Sequence, residues 1–183
     1  MKRAIVFLSF LLIHSLVLAQ TPLSSGTLTI GGSVSYASQS FDKVSDNTSV
    51  FNFNPKLGYF FIDNLYSAFS ISYDYYSLGK ASSHAWGVGP VIRYYFGLEK
   101  VKPFLGLGFT YYDKFDSSDE NKFTTTEIKS SGGIDYFITD YFALEVSLNY
   151  SWLNYNVPSG YYLNATDQSK LFQIAVGVNY FVN

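Results

Sequence analysis

Phe142-Ala143-Leu144-Glu145-Val146-Ser147-Leu148-Asn149-Tyr150-Ser151-Trp152 is the stretch whose reading decides the fold. Every even position holds a large apolar or aromatic side chain. The odd positions hold Ala, Glu, Ser, Asn and Ser. A period of two belongs to a β-strand, whose successive side chains point to opposite faces of a sheet. A helix would mix the two sets on every face.

The same alternation recurs outward from this segment and gives eight strands in all. The first sets Leu28, Ile30, Val34 and Tyr36 against Thr27, Thr29, Gly31, Ser33 and Ser35. The second sets Phe51, Phe53, Pro55, Leu57 and Tyr59 against Asn52, Asn54, Lys56 and Gly58. The third sets Leu65, Phe69, Ile71, Tyr73 and Tyr75 against Ala68, Ser70, Ser72 and Asp74. In the fourth, Trp86, Val88, Pro90, Ile92, Tyr94 and Phe96 oppose Gly87, Gly89, Arg93 and Tyr95. In the fifth, Leu105, Leu107, Phe109 and Tyr111 oppose Phe104, Gly106, Gly108, Thr110 and Tyr112. The sixth is the weakest, with Ile128, Ile134 and Tyr136 against Glu127, Lys129, Ser131 and Asp135, and Gly132-Gly133 suggests a bulge in it. The segment quoted above is the seventh, and Phe172 to Tyr180 is the eighth.

The connections differ in length. Tight turns fall near Ile62-Asp63-Asn64, Gly97 to Lys100 and Ile138-Thr139-Asp140; longer polar loops are expected over 41–48, 113–122 and 155–168, with a shorter one near 78–82. In an up-and-down meander all the short turns lie at one end and all the longer loops at the other. Transmembrane barrels have that asymmetry.

An eight-stranded barrel can put its apolar face inside, as a soluble lipocalin does, or outside, facing lipid. Its interior is just wide enough for side chains to fill. The face rich in Gly, Ala and Ser fits that narrow lumen, and the Phe, Tyr, Trp, Leu and Ile face does not. Lys56, Asp74, Arg93, Glu127, Lys129 and Glu145 all fall on the small-residue face, and the cores of the apolar faces carry no charge. A basic residue on the lipid face at mid-bilayer costs about 2–4 kcal/mol, which explains the exclusion. Aromatic residues gather near strand ends, at the depth of lipid headgroups. These observations place the chain in the all-β class, as an eight-stranded antiparallel up-and-down transmembrane β-barrel.

The amino terminus reads as an address. Lys2 and Arg3 precede the apolar run Ala4 to Leu18, and Val17-Leu18-Ala19 suits a signal peptidase. Residues 1–19 are expected to be a secretory signal peptide cleaved after Ala19, and residues 20–183 the barrel domain. Removing Lys2 and Arg3 moves the net charge from −2 to −4. The remaining residues average about 20 per strand, enough for the ~9–11 of a tilted spanning strand plus its turns.

Composition narrows the chemistry. Charged residues are 14% of the chain, against about 25% in an ordinary soluble domain. The acidic balance excludes a nucleic-acid partner. There are 17 Tyr, 17 Phe and no Cys, so disulfides, thiolate metal sites and cysteine nucleophiles are excluded. His84 is the one histidine beyond the signal segment, which removes multi-histidine zinc sites. No cofactor is expected.

Gly89-Pro90-Val91-Ile92-Arg93-Tyr94-Tyr95-Phe96 followed by Lys102-Pro103-Phe104-Leu105-Gly106-Leu107-Gly108 resembles the middle hairpin of small bacterial outer-membrane barrels, the family of outer membrane proteins X and A. The resemblance covers the whole expected mature chain. It implies residence in the bacterial outer membrane, contact with outer-membrane lipid and lipopolysaccharide, and insertion by the outer-membrane assembly machinery. The family's last strand usually ends on an aromatic residue that this machinery reads; here Phe181 is followed by Val182 and Asn183.

Three groups of residues could carry function. The inward charges Lys56, Asp74, Arg93, Glu127, Lys129 and Glu145 form either a gate or a plug of ion pairs, and the small interior favours the plug. His84, with Ser82 and Ser83 beside it, faces outward near the rim. It suits a lipid-modifying hydrolase only if an acid orients it. The loops hold an acidic stretch (Asp113, Lys114, Asp116, Asp119, Glu120) and the pair Tyr161-Tyr162. Gly106-Leu107-Gly108 does not open a helix, so it is no phosphate loop. The expected role is non-enzymatic: a monomeric structural or surface-interaction barrel whose loops meet an unidentified extracellular partner. The alternatives are a secreted lipocalin-like small-molecule binder and a narrow pore.

Overall fold

The computed structural model describes residues 22–41, 44–78, 81–97, 99–115, 123–156 and 168–182. The expected signal peptide lies outside them. The strands are β1 (Leu28–Phe41), β2 (Val44–Ile62), β3 (Leu65–Leu78), β4 (Ala81–Tyr95), β5 (Val101–Phe115), β6 (Phe123–Thr139), β7 (Phe142–Asn156) and β8 (Gln168–Val182). Each pairs antiparallel with the next, and β8 closes on β1 through Leu28↔Val182 to Tyr36↔Ile174. Closure leaves no unpaired sheet edge, the condition for a sheet to exist in lipid. Among the described residues no helix is long and apolar enough to cross a membrane.

The facing follows the alternation. Phe53, Ile71, Ile92, Leu107, Val146 and Ile174 are exposed on the outside, while Ser70, Ser72, Asn52, Thr110, Ser147 and Gln173 are buried inside. A water-soluble ligand-binding barrel has the reverse arrangement, so the lipocalin-like alternative does not fit this wall. β2–β3, β4–β5 and β6–β7 meet in short turns at the end that also holds Leu28 and Val182. In the Asp63-Asn64 turn, Asn64 has φ of 67°, a left-handed conformation that Asn tolerates through local hydrogen bonding of its side chain.

Several expectations are corrected. The strands run 14 to 19 residues, longer than a bilayer requires. Residues 44–48 and 81–82, read as loop from their polarity, continue the ladder, with Gln39↔Thr48 and Ser77↔Ser82 in register. The backbone ladder therefore runs on past the apolar stretches that face lipid. No bulge interrupts Gly132-Gly133, because Leu105↔Gly132 and Phe104↔Gly133 pair in sequence. The register shifts lie beside hairpin ends instead, at Gln39/Phe41, Phe60/Ile62 and Phe137/Thr139. Gly133 serves packing: a Cβ there would stand 2.6 Å from the Phe104 ring. Glycine lets that ring lie against the wall.

The rule of small residues inside fails at the turn end. Phe60, Tyr66, Tyr95, Phe104, Phe137 and Phe181 point inward and form a buried aromatic floor. Ring centroids are 4.9 Å apart for Phe137–Phe181 and 5.3 Å for Phe60–Tyr66. Residues 22–27 fold beneath this floor. The Asn64 amide donates to the Leu23 carbonyl at 2.8 Å, and the Gly26 amide donates to the Phe60 carbonyl at 2.9 Å. Leu23 is thereby pressed into the barrel mouth, with 2% of its surface exposed.

Candidate functional site

Above the aromatic floor the lumen narrows to an ion-paired layer. Glu145 on β7 is its centre. Arg93 on β4 grips it with both arms, Nη1 to Oε2 at 2.8 Å and Nη2 to Oε1 at 2.9 Å. Lys56 on β2 donates to Oε2 at 2.7 Å. Asn179 on β8 donates to the same oxygen at 2.9 Å and to Asp135 Oδ1 at 3.1 Å. The Tyr95 hydroxyl donates to Asp135 Oδ2 at 3.0 Å, and the Arg93 guanidinium lies 4.1 Å above the Phe104 ring. Buried charges persist only when paired and hydrogen-bonded, and a forked Arg–carboxylate pair satisfies both needs. Six strands, β2 and β4 to β8, thus meet across the axis through side chains that the alternation had already turned inward.

Toward the loop end the pattern loosens. Lys129 and Glu127 pair at 3.3 Å, and the Tyr112 hydroxyl donates to Glu127 at 3.1 Å. Asp74 accepts from the Asn52 amide and, at 3.1 Å, from the Tyr76 hydroxyl. Among the described residues no Lys or Arg lies within ion-pair distance of Asp74. Between the two layers lies a polar cavity of about 40 Å³, bounded by Asn52, Lys56, Arg93, Lys129, Glu145 and Gln173. Its volume suits two or three water molecules and no larger guest.

The structure therefore divides the six lumen charges named from the sequence. Lys56, Arg93 and Glu145 form one cluster, Glu127 and Lys129 a second, and Asp74 stands with neutral partners. The sequence reading omitted Asp135, Asn179, Tyr95, Tyr112 and Asn52 from the network. Asp135 lies on the inward face by parity alone, but contacts across a barrel axis depend on stagger between distant strands, which no local pattern reports. Among the described residues, no three His, Asp or Glu side chains are grouped to hold a metal ion.

This is a closed barrel with an apolar outer wall and an occluded polar lumen. The sequence profile of the "Outer membrane protein beta-barrel domain" family matches residues 5–181. The chain belongs to that family. Its fold is similar to that of Neisserial surface protein A, with a TM-score of 0.61 and 18% identity over 85% of this chain and 97% of that one. It is similar also to the outer membrane protein OprG of Pseudomonas aeruginosa, with a TM-score of 0.56 and 16% identity over 87% of this chain and 97% of that one. At such identity the likeness establishes the architecture. No curated protein sequence matches the chain. Family membership places the protein in the bacterial outer membrane.

In an outer-membrane barrel the short turns face the periplasm and the longer loops face outward. His84 then lies on the outer wall near the outward rim. Its Nδ1 meets the Tyr73 hydroxyl at 2.6 Å, and its ring packs against Tyr73 and Tyr75. Neither Ser82 nor Ser83 hydrogen-bonds to it among the described residues. A serine hydrolase needs its base within reach of the nucleophile. The neighbours of His84 instead make an interfacial aromatic cluster that also includes Trp86, 4.8 Å from Tyr73. Of the acidic stretch, the structure describes the side chain of Asp113 alone, on β5 opposite Trp86. Asp116, Asp119, Glu120, Tyr161 and Tyr162 lie outside the described residues.

Proposed function

We propose that the protein is a closed, non-conducting barrel that acts at the cell surface, as a structural or interaction protein working through its outward loops rather than its lumen. The observation that carries this reading is the double seal at the turn end. Glu145, Lys56 and Arg93 bridge the axis, and Leu23 with Phe60, Phe104 and Phe181 fills the space beneath. An ion crossing that layer would have to separate a buried, bidentate ion pair, an opening that costs several kcal/mol. The 40 Å³ cavity above the layer is a pocket of solvent size, not a channel.

Planar-bilayer recording of the refolded protein tests the proposal. The expected trace shows no discrete steps above that of empty membrane. Reproducible single-channel steps would refute it in favour of the narrow pore. That second reading would also require Glu145→Gln to alter the conductance.

A further inference from the structure

Residues 22–27 do more than cover the barrel mouth. Thr27 and Gly26 continue β1 along β2: the Phe60 amide donates to the Thr27 carbonyl at 3.0 Å, and the Gly26 amide donates to the Phe60 carbonyl at 2.9 Å. Gly26 then takes φ of 97°, a left-handed conformation natural to glycine. The Thr27 amide closes a turn onto the Ser24 carbonyl at 3.2 Å, and the chain doubles back across the mouth. This strap is held to the β2–β3 turn. The Ser25 amide donates to Asp63 Oδ1 at 2.8 Å, the Ser25 hydroxyl donates to the Phe61 carbonyl at 2.9 Å, and the Asn64 amide donates to the Leu23 carbonyl.

The hydrogen bonds alone do not account for an ordered strap. Ser25 and Asp63 are exposed, so their bonds replace bonds to water, while ordering six residues costs backbone entropy. The offsetting gain is the burial of Leu23. Its site is not local. The cluster it joins draws side chains from every strand from β2 to β8, from Phe60 and Tyr66 round to Phe137, Ala143 and Phe181. β1 enters through the Thr29 hydroxyl, which donates to the Tyr66 hydroxyl at 3.2 Å. The site is complete only once β8 has met β1.

The strap also sits at the seam. It runs straight into Leu28, which pairs with Val182 of β8, and the neighbouring Phe181 ring lies against Phe137 in the floor. Parting β1 from β8 splits that floor and uncovers Leu23.

We propose that residues 22–27 are a latch that sets after the barrel has closed and holds the β1–β8 seam shut. The hydrogen bonds to the β2–β3 turn aim the strap, and Leu23 locks it. An interaction made after the rate-limiting step of folding slows unfolding without hastening folding. The latch therefore sets how long the inserted barrel lasts, and it does so whether or not the lumen conducts.

Urea-jump kinetics of the refolded protein in detergent micelles, read in both directions, test this. Leu23→Ala is expected to unfold at least about tenfold faster, with refolding within about twofold of the unsubstituted chain. Gly26→Ala is expected to speed unfolding by a smaller factor. A Cβ at Gly26 meets no atom within 4 Å, so the left-handed backbone alone resists it. An unchanged unfolding rate in Leu23→Ala overturns the proposal. So does refolding slowed as much as unfolding is hastened, because Leu23 would then take part in closure itself. Failure of Leu23→Ala to reach the folded band on unboiled gels overturns it too, since closure would then depend on the strap.

Discussion

The turn-end half of the lumen contrasts with the loop-end half. Near the turns, Glu145 receives five donor contacts from four side chains, Lys56, Arg93, Ser147 and Asn179, and the layer rests on an aromatic floor. Near the loops, Asp74 is held by an amide and a hydroxyl, and Glu127 by one lysine and one tyrosine. Both layers are shielded from solvent, with Glu145 1%, Glu127 3% and Asp74 5% exposed. The difference lies in charge balance: among the described residues Glu145 meets two cations, Glu127 one and Asp74 none. A buried charge needs partners, and in the loop-end half neutral donors supply much of that need.

The comparison breaks most sharply at its centre. Glu145→Leu strands two buried cations and is expected to cost about 3–5 kcal/mol, read from urea unfolding in detergent micelles. Adding Lys56→Met and Arg93→Met should recover much of that loss, since three apolar side chains need no pairing. Phe104→Ala removes the ring beneath Arg93 and opens the floor, for a comparable cost of about 3–5 kcal/mol in the same assay. The wall comes next. Val146→Arg puts a cation in lipid at a cost of about 2–4 kcal/mol, measured as failure to gain the folded band on unboiled gels. Its inward comparison is Asn149→Arg, at the half-buried cavity lining, where loss should be smaller. Ser147 is a poor inward control despite its parity, because it is 1% exposed and packed against Glu145 and Gly133. The smallest effect belongs to the loop-end half. Asp74→Asn keeps the shape and leaves no cation unpaired, so a change within about 1 kcal/mol is expected. A loss as large as that of Glu145→Leu would erase the distinction between the halves.

The alternation in Phe142 to Trp152 was enough to read strand, facing and lipid exposure, because side-chain direction in a strand is local and alternates by geometry. It misjudged strand ends at 44–48 and 81–82, since a sheet projecting into water loses its apolar face without losing its ladder. It also led to a bulge at Gly132-Gly133, where the glycine in fact makes room for Phe104, a residue 29 positions away.

What the sequence by itself determined was therefore the wall: eight strands, their faces, and the inward placement of Lys56, Asp74, Arg93, Glu127, Lys129 and Glu145. What only the tertiary structure decided was the filling. Closure and stagger choose which inward residues meet across the axis, joining Glu145 to residues 89 and 52 positions away while leaving Asp74 with neutral neighbours. Facing repeats every two residues and can be read locally; pairing across a lumen exists only once the barrel has closed.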